Sequence, residues 1–352
     1  MKYLFKILIL LFGTLSFSQE LIFENLFDSS LSSEIACYRI PSIITSTNGT
    51  LIAAIDERNN TCGDLKWNKN INIVLRKSYD DGKTWTKIER IIDYPIGESA
   101  SDPSMIVDRQ TKDIFLFYNY MNLDKAKDIY RFMVIKSNDN GESWSSPKDI
   151  TDQITKKEWK NDFMFITSGR GIQSEDGILL HCLVNLNKGT HVFGSNDHGK
   201  NWFLIDYPLK PGDESKIIEL SNGDWLVNSR VNSNKFRYSH ISKDKGKSWL
   251  SFENKDLSDP ACNASIINYN ISSEKLLLFS NAFDSNERKN LSLSISYDQG
   301  MSWKNNKTIY KGSSAYSSMT KLKNGDIGLF FEKDNYTKNV FVRVPKKWVL
   351  DK

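Results

Sequence analysis

The sequence predicts an all-β fold, and three observations predict it. Runs such as INIVLRKS (71–78) and LSLSISYD (291–298) alternate apolar and polar residues with the period of a half-buried strand. One turn pattern, Ser-x-Asp-x-Gly-x-polar-Trp, recurs as SYDDGKTW (78–85), SNDNGESW (137–144), SNDHGKNW (195–202), SKDKGKSW (242–249) and SYDQGMSW (296–303). Stretches with a helical period are almost absent. Self-similarity at intervals of about fifty residues, with several short strands in each interval, indicates a six-bladed β-propeller with four antiparallel strands per blade.

From the N-terminus, MKYLFKILILLFGTLSFSQ sets Lys2 and Lys6 before an apolar run from Ile7 to Phe12, then small Ser16 and Ser18. That pattern predicts a signal peptide over residues 1–18 and an exported product, periplasmic or secreted. The first cysteine is Cys37, which speaks against a lipid anchor at the cleavage site. ELIFENLF (20–27) is expected to supply a strand that closes the ring from the other end of the chain. Each turn motif then ends a strand: Ser and Asp accept bonds from the turn's own N–H groups, Gly supplies a positive φ, and Trp covers the turn. Five motifs mark five blades. DIGLFFEKDNYTKNVFVRV (326–344) reads as two more strands joined by a turn, part of the sixth. One domain over residues 19–352 follows, since propellers routinely exceed the ordinary length of a domain.

Several function classes are excluded. SYDDGKTW contains Gly-Lys-Thr but lacks the second glycine of a phosphate-binding loop, and Lys77 stands where a calcium loop needs an acidic first ligand. No two of Cys37, Cys62, Cys182 and Cys262 have zinc-ligand spacing, and the four histidines form no His-x-x-x-His pattern, so no metal or other cofactor is expected. A formal net charge of +4 over 352 residues gives no nucleic-acid stripe and at most a weak preference for anionic ligands. No segment after the leader approaches the roughly 20 apolar residues of a membrane span. The disulfide state is left open by the sequence; if any cysteines pair, Cys37 with Cys62 is the expected pair.

CYRIPSII (37–44) places Arg39 in an otherwise apolar strand beside a proline. Together with the five turns, it resembles the sialidase (neuraminidase) family, the bacterial-type exo-sialidases with Asp-box (BNR) repeats of glycoside hydrolase family 33. The resemblance runs from Cys37 to Glu332. It implies removal of terminal sialic acids from glycoproteins, glycolipids or oligosaccharides by a monomeric enzyme with no cofactor. Sialic acid carries a carboxylate on its anomeric carbon, so such an enzyme needs several guanidinium groups. The family's three arginines match Arg39, Arg230 in GDWLVNSR, and Arg288 in NERKNLSLS.

The same carboxylate repels an attacking Asp or Glu, whereas a tyrosine is neutral until it reacts. The family's nucleophile matches Tyr316 in GSSAYSSM, and the glutamate that takes its proton matches Glu214 in DESKIIEL. The family's acid is an aspartate on a loop before the first turn, matching Asp64 in RNNTCGDLKWN, with Asp56 as runner-up. By the same resemblance Glu332 orients Arg39, and Arg58 and Asp102 contact the sugar's 4-hydroxyl. The expected outcome is retention of configuration through a tyrosyl-sugar intermediate. Transfer of the sugar to another glycan, release of an anhydro sugar, or a non-catalytic sialoglycan-binding propeller are the alternatives. Linkage preference is not legible.

Overall fold

The computed structural model describes residues 20–271 and 274–350; the leader expected over 1–18 lies outside them. The chain is all-β, a propeller arrangement of small antiparallel sheets. Two of these are plain four-stranded meanders. One comprises Ile35–Thr45, Leu51–Asn59, Ile71–Ser78 and Glu89–Ile92, the other Ser215–Glu219, Trp225–Ser229, Phe236–Ser242 and Leu250–Ser258. Two further sheets have five strands each.

The expected count of six separate four-stranded blades is corrected here. Hydrogen bonding joins the strands into five sheets, one of them seven-stranded. The cause is the 18-residue strand Lys304–Lys321. Its first half is laddered to Lys289–Ser296 and its second half to Ile327–Lys333, so the two ladders share one continuous strand. At the edge of that sheet Phe23–Asp28 pairs antiparallel with Lys338–Val344. The first and last described strands are thus paired by the segment expected to do so, which covers the edge of Lys338–Val344.

The inner strands form a ring by contact. Ile35–Thr45 touches both Lys304–Lys321 and Glu98–Val107, and Glu98–Val107 touches Ile172–Gln173, which pairs with Leu179–Asn185. That strand touches Ser215–Glu219, which touches Ser265–Ile271, and this in turn meets Lys304–Lys321. The short strand Gly169–Arg170, paired parallel with Ser104–Met105, also touches Ile35–Thr45 and Lys304–Lys321, so it packs against three neighbouring inner strands. Apolar clusters fill the wedges between neighbouring sheets. One joins Ile43, Leu51 and Val74 to Phe330 and Phe341, and another joins Leu180 and Val192 to Ile217 and Val227.

The five turns do more than end hairpins. In each, the Ser hydroxyl accepts from the Gly N–H and donates to the Asp, while the Asp accepts from the N–H of the residue before Trp, as in Gly141 N to Ser137 Oγ at 2.8 Å and Ser143 N to Asp139 Oδ1 at 2.9 Å. The same set recurs at Ser78, Ser195, Ser242 and Ser296. Gly141 adopts φ 89°, and a Cβ there would lie 2.5 Å from Ile52 Cδ1 of the preceding sheet. The turn therefore also spaces one sheet from the next. The residue before each glycine, among them Asn140 at φ 61°, is left-handed as well, which the motif did not reveal.

Candidate active site

Three of the inner strands are irregular where the site residues lie. Register shifts fall between Arg39 and Ser42, between Ser101 and Ser104, and between Ser314 and Ser317. Such bulges re-aim side chains that a regular pleat would send elsewhere, and they carry Arg39, Asp102 and Tyr316. Ile40 has φ 69°, an outlier for a β-branched residue, and Asp102 has φ 64°. Ile40 is held there by its N–H bond to Glu332 Oε1 at 2.9 Å.

Glu332 is the pin of this end. Its side chain has no exposure, and it accepts from Arg39 Nε at 2.6 Å and, through the other oxygen, from Tyr316 N at 3.0 Å. One carboxylate thus fixes an arginine and the backbone of the tyrosine. Glu214 and Arg230 face each other just beyond the paired strands Ser215–Glu219 and Trp225–Ser229: Arg230 N donates to Glu214 O at 3.0 Å, and Arg230 Nη1 donates to Glu214 Oε2 at 2.6 Å. The same Nη1 donates to the Tyr316 hydroxyl at 3.1 Å. The Arg39 and Arg288 guanidinium carbons lie 5.5 Å and 5.4 Å from the centre of the Tyr316 ring. Three cations therefore surround one phenol. Burial, and after it the Glu214 charge, push the Tyr316 hydroxyl well above its ordinary pKa against the pull of Arg230 and Arg288. It is a neutral group that needs a base, with cations placed to stabilise the phenolate.

The second half of the site is built on Arg58. It is fully buried and donates to Asp56 Oδ2 at 3.0 Å through Nη2 and to Asp64 Oδ1 at 2.6 Å through Nη1. Asp64, on the loop after Leu51–Asn59, has a side chain 66% exposed. Partial loss of solvent on the side of its carboxyl that meets Arg58 would raise the pKa, but the Arg58 charge and hydrogen bond, with Arg39 and Arg288 adding, hold it below the usual carboxylate range. Cys37 and Cys62 form a disulfide, as expected of that pair, and Cys62 O accepts from Arg58 Nη1 at 2.9 Å. The Asp64 loop is thereby tied to the strand of Arg39.

Asp56, the runner-up for the acid, is wholly buried and accepts from Ser101 Oγ at 2.6 Å and Asp102 N at 2.9 Å. Its position beneath Arg58 is that of a support. Asp102 accepts from Asn119 Nδ2 at 2.8 Å. Burial first, and the neighbouring Asp56 charge second, push its carboxyl up to about 8. All nine residues singled out in the sequence lie in this one network: Arg39, Arg58, Asp64, Asp102, Glu214, Arg230, Arg288, Tyr316 and Glu332.

A family model described as BNR repeat-like domain matches residues 49–329. This chain belongs to the BNR repeat-like family. It is 29% identical over 330 residues to a sialidase of Bacteroides fragilis, covering 84% of this chain and 60% of that protein. To a sialidase of Micromonospora viridifaciens it is 32% identical over 327 residues, covering 84% of this chain and 50% of that protein. The chain thus spans 60% and 50% of the length of these two relatives. Among solved structures, the Hadza microbial sialidase Hz136 superimposes with a TM-score of 0.78 at 26% identity, covering 88% of this chain and 66% of that one. The resemblance to sialidases drawn from Arg-Ile-Pro and the five turns therefore holds. The BNR repeat-like match begins after Arg39 and ends before Glu332, so the pairing of those two residues rests on the 2.6 Å bond between them.

Four residues of the network were not found in the sequence. Tyr336 lies under Arg39, with the guanidinium carbon 4.2 Å from its ring centre, and its hydroxyl accepts from Arg288 Nη1 at 3.3 Å. It closes a run of three left-handed residues, Asp334, Asn335 and Tyr336, and the Asp-Asn turn before it is the one local signal present. Arg237, fully buried, donates to Asp259 Oδ2 at 3.2 Å, Cys262 O at 2.6 Å and Asn228 Oδ1 at 2.8 Å, bracing the floor beside Glu214. Asp213 and Asn232 bond to each other next to Arg230. No motif marks these last three.

Proposed function

We propose that this protein is an exo-α-sialidase that removes terminal sialic acids from glycans with retention of configuration. The observation that carries the reading is the convergence of Arg39, Arg230 and Arg288 on Tyr316, whose hydroxyl shares Arg230 Nη1 with Glu214. The three guanidiniums receive the substrate carboxylate. Tyr316 Oη attacks the anomeric carbon while Glu214 takes the phenol proton and Asp64 gives a proton to the departing glycan oxygen. Water then attacks the same carbon, giving its proton to Asp64, and the tyrosine oxygen leaves with the proton held on Glu214.

Asp64 is an anion while Arg58 holds it. To act as the acid Asp64 must first take up a proton, which requires its bond to Arg58 to loosen when substrate fills the cleft. Export past a membrane, with loss of residues 1–18, is part of the same proposal and brings the enzyme to its glycans.

The test is a fluorogenic sialoside assay on the purified mature chain, with the product identified by mass spectrometry. Free sialic acid is expected. An anhydro sugar or a transferred product would assign the alternative reaction, and no turnover with intact binding would leave a lectin.

A further inference from the structure

The inner strands run from the tyrosine-centred cleft to a second opening. Thr45, Glu219 and Lys321 lie at the far ends of the strands that carry, or closely follow, Arg39, Glu214 and Tyr316. Five residues of extended chain from Tyr316 to Lys321 cover roughly 16 Å, so the two openings are distinct. The far one is a cavity of about 940 Å³ lined by these residues and by Arg170 at its inner end. Gly169–Arg170 packs against the inner strands there, and Arg170 lines the cavity.

Arg170 is a cation without a counter-ion. Its Nη1 donates to Met319 O at 3.0 Å, its buried Nε has no partner, and no described carboxylate lies within ion-pair distance of it. The carboxylates near by are committed elsewhere. Glu175 pairs at 3.7 Å with Arg109, and Glu219 Oε2 accepts from Glu175 N at 2.6 Å. The lining holds Arg109, Arg170, Lys275, Lys321 and Lys323 against Glu175 and Glu219, five positive side chains to two negative. Arg170 is half-buried; its Nε is shut off from solvent, and its Nη2, which makes no bond to any described residue, is the donor that a guest in this space can meet. Hydroxyls of Thr45 and Thr320, 2.9 Å apart, also border the space and suit an oxygen-rich guest.

We propose that this cavity is a second anion site, in which Arg170 receives a small oxyanion, a phosphate or the carboxylate of a sugar acid. The site stands apart from the catalytic reading and does not depend on it. Burial, with the repulsion of Arg109, lowers the Arg170 pKa to about 10, which agrees with a cation held without its partner.

The test titrates inorganic phosphate, and separately glucuronate, into the mature chain by calorimetry at fixed ionic strength, with Arg288→Gln and Arg170→Gln alongside. At least one of the two anions is expected to bind the wild type and Arg288→Gln alike, and about tenfold or more weaker in Arg170→Gln, as befits the loss of a bond to a charged group. Which anion binds distinguishes free phosphate from a sugar acid. Binding that Arg288→Gln abolishes and Arg170→Gln spares would assign the anion to the cleft and overturn the proposal, as would no binding of either up to about 10 mM. Should Arg170→Gln fail to fold, the double change Lys321→Gln and Lys323→Gln of lining lysines must weaken binding several-fold; unchanged affinity there would also overturn it.

Discussion

In the turn at 137–144, Ser137, Asp139, Gly141 and Ser143 satisfy one another across two to four positions, and the same bonds recur in four other turns. In the cleft, Arg39 finds Glu332 at 293 positions' distance, and Arg230 finds Tyr316 at 86. The turns are local and repeated, and each glycine lies in a left-handed conformation it tolerates without cost. The cleft is non-local and is assembled from bulges and strained residues such as Ile40 at φ 69°. The two regions therefore divide the work: the turns hold sheets together, and the cleft holds charges where the ring brings them.

That division can be broken by substitutions that should separate stability from chemistry. The largest effect is expected from Tyr316→Phe, which keeps the ring and its packing but removes the attacking oxygen. Turnover of a fluorogenic sialoside should fall on the order of a thousandfold or more, with the melting temperature nearly unchanged. Gly141→Val should do the reverse. Its φ of 89° and the 2.5 Å approach to Ile52 make a side chain both strained and crowded, a loss of about 2–4 kcal/mol in unfolding free energy with kcat of the folded fraction preserved. A Gly141→Val protein that melts normally yet cannot turn over would place the turns in the chemistry.

Arg288→Lys sharpens the comparison from the cleft side. A lysine keeps the charge but loses the planar fork, so kcat/KM should drop by the equivalent of about 1.5–3 kcal/mol while the fold persists. Full activity in that variant would remove Arg288 from the carboxylate site. The smallest effect concerns pH, where the turn aspartates and Asp102 of the cleft have opposite signs. Hydrogen bonds from the Ser143 side chain and backbone hold Asp139 down to about 2, and Asp80, Asp197 and Asp244 are held likewise. Their contribution is complete above the ordinary aspartate value of about 4 and is lost as pH falls toward 2. Asp102 is raised to about 8; its contribution is complete below about 4 and is lost as pH climbs through its folded value. Melting temperatures across pH should show Asp139→Asn weakening the acid-side loss and Asp102→Asn flattening the alkaline one.

The same contrast explains what could be read in advance. The turns were legible because the Ser, Asp and Gly bonds that close each of them lie within one octapeptide. The closing strand was legible because the last blade, as read from the repeats, lacked a strand that ELIFENLF could supply, although its partner is more than three hundred residues away. The separate sixth blade was misjudged because periodicity cannot show that Lys304–Lys321 continues without a break from one ladder into the next. In the cleft, Arg39, Glu214 and Tyr316 were reached through family resemblance, since nothing local distinguishes them from other arginines, glutamates and tyrosines. Asp56 was weighed only as an acid, because its bonds to Ser101 and Asp102 cross 45 and 46 positions. Tyr336 was missed for the same reason: Arg39 and Arg288 come to it from distant strands.

The central claim, that Tyr316 attacks with Glu214 as its base, is tested most directly by the stereochemistry of the first product. Proton NMR of the reaction in its first minutes distinguishes the two anomers before they equilibrate. Two successive displacements at the same carbon predict that the wild type releases the α anomer first, and that any residual activity of Tyr316→Phe gives the inverted one. A wild-type enzyme that releases the inverted sugar first would contradict the account.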